Sequence, residues 1–293
     1  MADLSKITDP LQLCDMAASS PLDPNRPQGI TGFDVQQIAM RALASNRDAA
    51  VETMNKVVEG CLAAIKERPR VARYKFNAAR TYYAIATLLE GKLDRESALA
   101  QASRFNQEAV EMGYVAAYNN LALLHQNGEF YDTAGGIAKR LPTDREKAIN
   151  YLRRGADLGH VVAQYNLGLA YKNGELPLEV EAVTGTVRVD SNTSAATVRR
   201  TREAQAFQLL SRAAEGGYVP AMVETAILLH DWSGIQRNPK RVVELLETAA
   251  SRGSWEAMYW LGIVYSINDS KDDNDALIWY ARAAEAGDTR SQM

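Results

Sequence analysis

The side chains best suited to chemistry in this chain are its three histidines, His125, His160 and His230, and its two cysteines, Cys14 and Cys61. Imidazole and thiolate at short spacing could bind zinc or pair a nucleophile with its base. Neither pattern occurs, because no histidine has a cysteine or a second histidine at ligand spacing and the cysteines are too far apart for a paired metal motif. Cys61 stands among Gly60, Leu62, Ala63 and Ala64, the surroundings of a packed, inert thiol rather than a nucleophile. There is no Gly-x-Gly-x-x-Gly fingerprint, no phosphate loop and no Gly-x-Ser-x-Gly elbow. The basic clusters Arg153-Arg154 and Arg199-Arg200 with Arg202 read as solvated helix faces, and Gly135-Gly136 as a flexible loop. Catalysis, a metal and a cofactor are therefore not expected.

Bulk properties narrow the partners. Lys and Arg total 33 against 36 Asp and Glu, and a net charge of -3 offers no field to hold a polyanion, so nucleic acid is an unexpected partner. The first thirty residues lack the basic start and apolar run of a secretory signal, and no stretch is long and apolar enough to insert in a membrane. As given, the chain reads as cytoplasmic. A parent chain with a signal and a Cys14–Cys61 bridge would instead be periplasmic or secreted.

The dominant feature is a repeat. Ala148, Tyr151, Leu152, Gly155, Ala156 and Gly159 fall at helical offsets of 3, 4, 7, 8 and 11. The same ladder starts at Ala206, Val242 and Ala276, closing on Gly217, Gly253 and Gly287, with a degenerate copy from Ala102 to Gly113. The closing glycine suits the left-handed residue that ends a helix. Four residues after each closing glycine but the last, a second helix opens on Ala117, Ala163, Ala221 or Ala257, and an earlier copy opens on Tyr74. In this first helix of each pair a small residue, such as Ala122, Gly168 or Gly262, lets two backbones approach. The ladder helix always leads to the next opening residue 15 positions on, whereas the reverse spacing varies from 19 to 43. Insertions are thus confined to the loop inside each pair, as a stack of repeats requires. Asp94, Asp144 and Asn238 read as helix N-caps.

The segments Ala163 to Gly174 (AQYNLGLAYKNG) and Asp275 to Gly287 (DALIWYARAAEAG) carry a resemblance to the Sel1-like repeat family, relatives of the tetratricopeptide repeats. The resemblance runs from about Tyr74 to the C-terminus, with a departure at Thr225 and Asp231-Trp232 in the fourth unit. It implies an all-α fold, a right-handed α-solenoid of stacked antiparallel helix pairs, with about five repeats over residues 70–293. It also implies a non-catalytic scaffold or adaptor that binds a partner protein or peptide. By analogy with tetratricopeptide repeats, a concave face is formed by the first helix of each pair. The positions carried over to it are Phe76, Arg80 and Tyr83; Asn119, Leu123 and Gln126; Tyr165, Leu169 and Lys172; Val223, Ile227 and His230; and Tyr259, Ile263 and Ser266. The competing reading makes Leu123, Leu169, Ile227 and Ile263 core.

Residues 1–69 carry different punctuation, with Pro21, Pro24 and Pro27 followed by helices over Phe33–Ala44 and Ala49–Lys66. Leu13-Cys14, Asp23-Pro24-Asn25-Arg26, Gly60-Cys61-Leu62-Ala63 and Pro69 resemble a segment that precedes such repeats in some bacterial proteins, including ones with a caspase-like peptidase. The expected role is an N-terminal helical cap, in which Cys14 and Cys61 are either free or bridged. The alternative function is that of a regulatory or targeting region of a larger enzyme. Ser291 stands where another repeat would open, so the sequence reads as cut inside an array or as ending in a rudimentary cap. Alternating β-branched runs around Thr184-Gly185 predict a β-hairpin near residues 178–190.

Overall fold

A computed structural model of the chain describes residues 7–18, 35, 46–89, 94–133, 138–176, 179–182, 185–188, 194–231, 238–267 and 273–291. The chain divides into two compact units, Met1–Leu158 and Gly159–Met293. The first contains α1 (Pro10–Ala18), α2 (Arg47–Glu67), α3 (Ala72–Leu88), α4 (Arg95–Glu111), α5 (Ala116–Gln126) and α6 (Arg145–Asp157). The second contains α7 (Val161–Lys172), α8 (Ala195–Glu215), α9 (Val219–Asp231), α10 (Pro239–Ser251), α11 (Trp255–Ile267) and α12 (Asp273–Ser291). The helix pairs are α3/α4 and α5/α6 in the first unit and α7/α8, α9/α10 and α11/α12 in the second, so the fold is an all-α solenoid of antiparallel pairs. The predicted helix over Phe33–Ala44, except the buried Val35, and the proline segment lie outside the described residues.

Local signals place the helix ends. Asp144 accepts a hydrogen bond from the Lys147 amide at 2.9 Å and Asn238 from the Arg241 amide at 3.1 Å, with Pro239 at the first helical position. Gly113, Gly159, Gly217 and Gly253 close their helices at positive φ. Two expectations hold only in part or fail. Asp94 stands at the N-cap position before Arg95 but is helical at φ -76°, ψ -7° and makes no side-chain cap, and Gly287 closes nothing, because α12 continues to Ser291.

The small residues of the first helices accept side chains from the ladder helices. A Cβ on Gly168 would sit 2.9 Å from Leu210 Cγ, and one on Gly262 would sit 2.6 Å from Tyr280 Cε1. Leu210 and Tyr280 hold the same ladder position, offset 4, in α8 and α12. Gly168→Val should overpack this contact and lower stability by about 2 kcal/mol. Adding Leu210→Ala should recover part of that loss, a coupling read from urea midpoints. Additive losses would mean that the two residues do not press on each other.

In the first unit, α1 packs on α2 and α3. Cys14 and Cys61 are bridged, with Cα atoms 4.7 Å apart, and both are fully buried. A two-pronged ion pair adds to this: Arg73 Nε and Nη2 donate to Asp15 at 2.7 and 2.9 Å. The Asn77 amide donates to the Cys14 carbonyl at 3.3 Å. The core around them runs through Met54, Val57, Tyr74, Leu88 and Leu99.

Two short ladders occupy the loops inside pairs. β3 (Glu179–Ala182) and β4 (Gly185–Arg188) form the expected antiparallel hairpin, with Val180 opposite Val187. The other, β1 (Tyr131–Asp132) with β2 (Lys139–Arg140), has two residues a side and left no alternating run to find in the sequence. The Tyr131 amide anchors it by donating to Ser103 Oγ at 2.9 Å.

Candidate protein-binding surface

The positions carried over from tetratricopeptide repeats do not form one exposed row. In the first unit Phe76 is 3% exposed, its ring 4.9 Å from that of Tyr114, and Arg80 and Asn119 are also buried. These three correct the sequence reading, which placed them on an exposed face: as folded, they are buried. The cause is that the first helix of a pair is covered on more than one side. Phe76 clusters with Ala109 in α4, with Tyr114 at the turn from α4 to α5 and with Ala116 and Ala117 in α5, rather than meeting solvent. Tyr83 is half-buried and donates to Glu129 at 3.1 Å, where Arg95 pairs with the same carboxylate. Burial and then that carboxylate push the Tyr83 phenol above its ordinary value. Leu123 and Gln126 reach solvent.

The second unit is different. Tyr259 is 48% exposed, with its ring tilted against Tyr280 at 5.6 Å. Lys172 Nζ lies 2.6 Å from Glu224 Oε2. His230 Nδ1 lies 2.5 Å from Asp231 Oδ1, and its ring meets the Trp260 ring edge-on at 6.2 Å. Val223 is core, Leu169, Ile227 and Ile263 are half-buried, and Ser266 is exposed.

Tyr165 opens onto a cleft of about 410 Å³. Val219, Pro220, Val223 and Glu224 of α9 line it, as do Arg252 and Gly253 of the following turn and Ser254 and Glu256 at the start of α11. The Tyr165 ring stands edge-on to Tyr218, centroids 5.0 Å apart, which fixes it at low entropic cost. Burial, then Glu224, Tyr218 and Glu256, push its phenol up to about 12, so it remains a neutral hydrogen-bond donor at ordinary pH. Arg252 Nη1 donates to the Gly217 carbonyl at 2.8 Å, tying one inter-helix turn to the next. Ser254 Oγ caps α11 by accepting from the Ala257 amide at 3.2 Å and donates to Glu256 at 3.1 Å. The sequence reading found Tyr165 and Val223 in this cleft and missed Arg252, Ser254 and Glu256. The recurring turn after each closing glycine was the available signal.

Such a cleft can hold an extended segment or a side chain, with aromatic surface on one wall and both signs of charge at its rim. Among the described residues no group of three or more His, Cys, Asp or Glu side chains could hold a metal ion, and no helix is long and apolar enough to cross a membrane.

The fold and this surface define a repeat scaffold. The profile of the Sel1 repeat family matches residues 115–160, 161–182, 203–218, 219–254 and 255–288, and the chain belongs to that family. The second segment ends with β3 and the third begins within α8, so β4 and the start of α8 fall between them, and the α3/α4 pair lies outside the match. Sel1 repeat proteins mediate protein–protein interaction, and the fold is characteristically a non-enzymatic scaffold. No curated protein matches the sequence. Among solved structures, a Sel1 repeat protein from Oxalobacter formigenes is 18% identical, with a TM-score of 0.54 over 86% of this chain and 84% of that one. An immunity protein from Pseudomonas aeruginosa is 22% identical, with a TM-score of 0.41 over 71% and 66% of the two chains. A protective antigen of uropathogenic Escherichia coli is 18% identical, with a TM-score of 0.47 over 88% of this chain and 54% of that one. None of these comparisons supports the alternative reading as part of a caspase-like peptidase.

Proposed function

We propose that this protein is a non-catalytic scaffold that grips a partner protein through the face formed by α7, α9 and α11, with the Tyr165 cleft as its anchor pocket. The observation that carries this reading is the cleft itself. It joins an immobilised aromatic wall to Glu224, Arg252 and Glu256, whose charged groups can meet the amides and carbonyls of an extended segment. Rigid aromatic anchors of this kind carry a large share of binding energy at interfaces. Tyr259, exposed on α11, extends the same face. The N-terminal helices α1 and α2 act as the cap of the first helix pair, covering an apolar end that a stack cannot leave open.

Panning a randomised peptide library against the intact chain tests the proposal. Selected peptides should lose affinity about thirtyfold, close to 2 kcal/mol, when Tyr165 is replaced by alanine. Circular dichroism must show an unchanged fold, because loss of the Tyr218 contact could otherwise imitate a lost ligand contact. Peptides that bind a well-folded Tyr165→Ala chain as tightly as the parent would move the binding surface away from the cleft.

A further inference from the structure

The helix α12 is apolar on opposite faces. Its inner face, Ala276 and Ala283, is buried. Its outer face exposes Leu277 at 64%, Ile278 at 47%, and Ala281 and Ala284. Aligning the ladders shows which of these are unusual. Leu277 and Ala284 occupy positions that are half-buried or buried in the ladder helices α6, α8 and α10, as at Val243 and Ala250, so a neighbouring helix ordinarily covers them. Ile278 and Ala281 differ. Their counterparts are Arg104, Asn150, Gln208 and Glu244 for the first, and Gln107, Arg153, Ser211 and Glu247 for the second, polar in every case. The first four are all exposed although another helix pair follows each. At the end of α11, Ile267 is 64% exposed where α5, α7 and α9 are followed or ended by the exposed Asn127, Asn173 and Asp231. Simple continuation of the stack does not account for apolar residues at these positions. Apolar surface gathered on one helix in this way marks an association surface.

The flanking charges indicate the occupant. Asp275 and Arg282 are both exposed and lie seven residues apart, hence on one flank of the outer stripe. When two copies of α12 pack antiparallel about a two-fold axis level with Ile278 and Trp279, residue 275 of each copy faces residue 282 of the other. The opposite charges then pair twice while Ile278 and Ala281 cover one another. Arg282 is already placed over the Trp279 ring, 4.7 Å from its centroid. From these observations we infer that the chain forms a two-fold homodimer through the outer face of α12.

Light scattering and sedimentation of the full chain test this inference. The expected mass is twice the 32.2 kDa of one chain. Ile278→Glu enters an isologous contact twice and should raise the dissociation constant on the order of a thousandfold, with helical content unchanged. Asp275→Arg should weaken the dimer by placing like charges opposite one another, and the double variant Asp275→Arg/Arg282→Asp should restore it. A chain that is monomeric at its highest soluble concentration overturns the inference. So does a dimer that Ile278→Glu leaves intact, or one in which the double charge reversal weakens association as much as the single one.

Discussion

Reduction of the Cys14–Cys61 bridge is expected to lower the stability of the first unit by about 4 kcal/mol, because the 47-residue separation it closes then regains its freedom in the unfolded chain. The bridge joins α1 to α2, and the Arg73–Asp15 ion pair then fastens α1 to α3. Without the bridge, α1 would rely on that pair, on the Asn77 contact and on its packing around Leu11 and Leu13. The measurement has two parts. Alkylation of the denatured chain without reductant, read by mass spectrometry, should label no thiol; two labels would mean the cysteines are free and would remove the basis of the prediction. Urea unfolding followed by circular dichroism should then show a lower midpoint in reductant. Circular dichroism is the suitable probe because all four tryptophans, Trp232, Trp255, Trp260 and Trp279, lie in the second unit. A bridged chain would also favour an oxidising compartment.

Acidification should cost the second unit about 3 kcal/mol between pH 6.5 and pH 4, through His160. Burial pushes this imidazole down from 6.5 to about 4. Between those values the unfolded chain takes up a proton that the folded chain refuses, so the unfolded state gains. The contribution is complete above the unfolded value and is lost as pH falls through the folded one. The geometry gives the refusal a local cause as well, since His160 Nδ1 caps α7 by accepting from the Ala163 amide at 3.3 Å, and a proton on that nitrogen would abolish the acceptor. His160→Asn keeps a capping oxygen and removes the titration. Unfolding free energies from tryptophan-monitored urea titrations at the two pH values should therefore differ by about 3 kcal/mol more in the parent than in this variant. An equal pH dependence in both would assign the acid sensitivity to another group. His125, also buried and held below its ordinary value by burial and then by Lys147, lies in the first unit, to which those tryptophans do not belong.

The repeat was legible because it is written in local terms. A stripe at offsets of 3, 4, 7 and 8, a closing glycine and a capping Asp or Asn act within one or two helical turns, so Ala148 to Gly159 or Val242 to Gly253 can be read with no knowledge of neighbours. The small residue of each first helix was legible for the same reason, because it recurs at a fixed place, but the side chain it accepts, Leu210 against Gly168, came only from the packing. Which side of a helix meets water was not legible either. Phe76 and Tyr165 hold equivalent offsets, yet Phe76 is enclosed at the α4–α5 turn while Tyr165 borders an open cleft. That difference is made by Tyr114 in one case and by Glu224, Arg252 and Glu256 in the other, residues distant in sequence and brought close by packing. Thus the sequence alone determined the family, the helix pairs and the loops that tolerate insertion. Only the tertiary structure decided that Cys14 meets Cys61, that Arg80 and Asn119 are interior, and that α12 presents Ile278 to solvent, because burial is a property of neighbours and not of spacing.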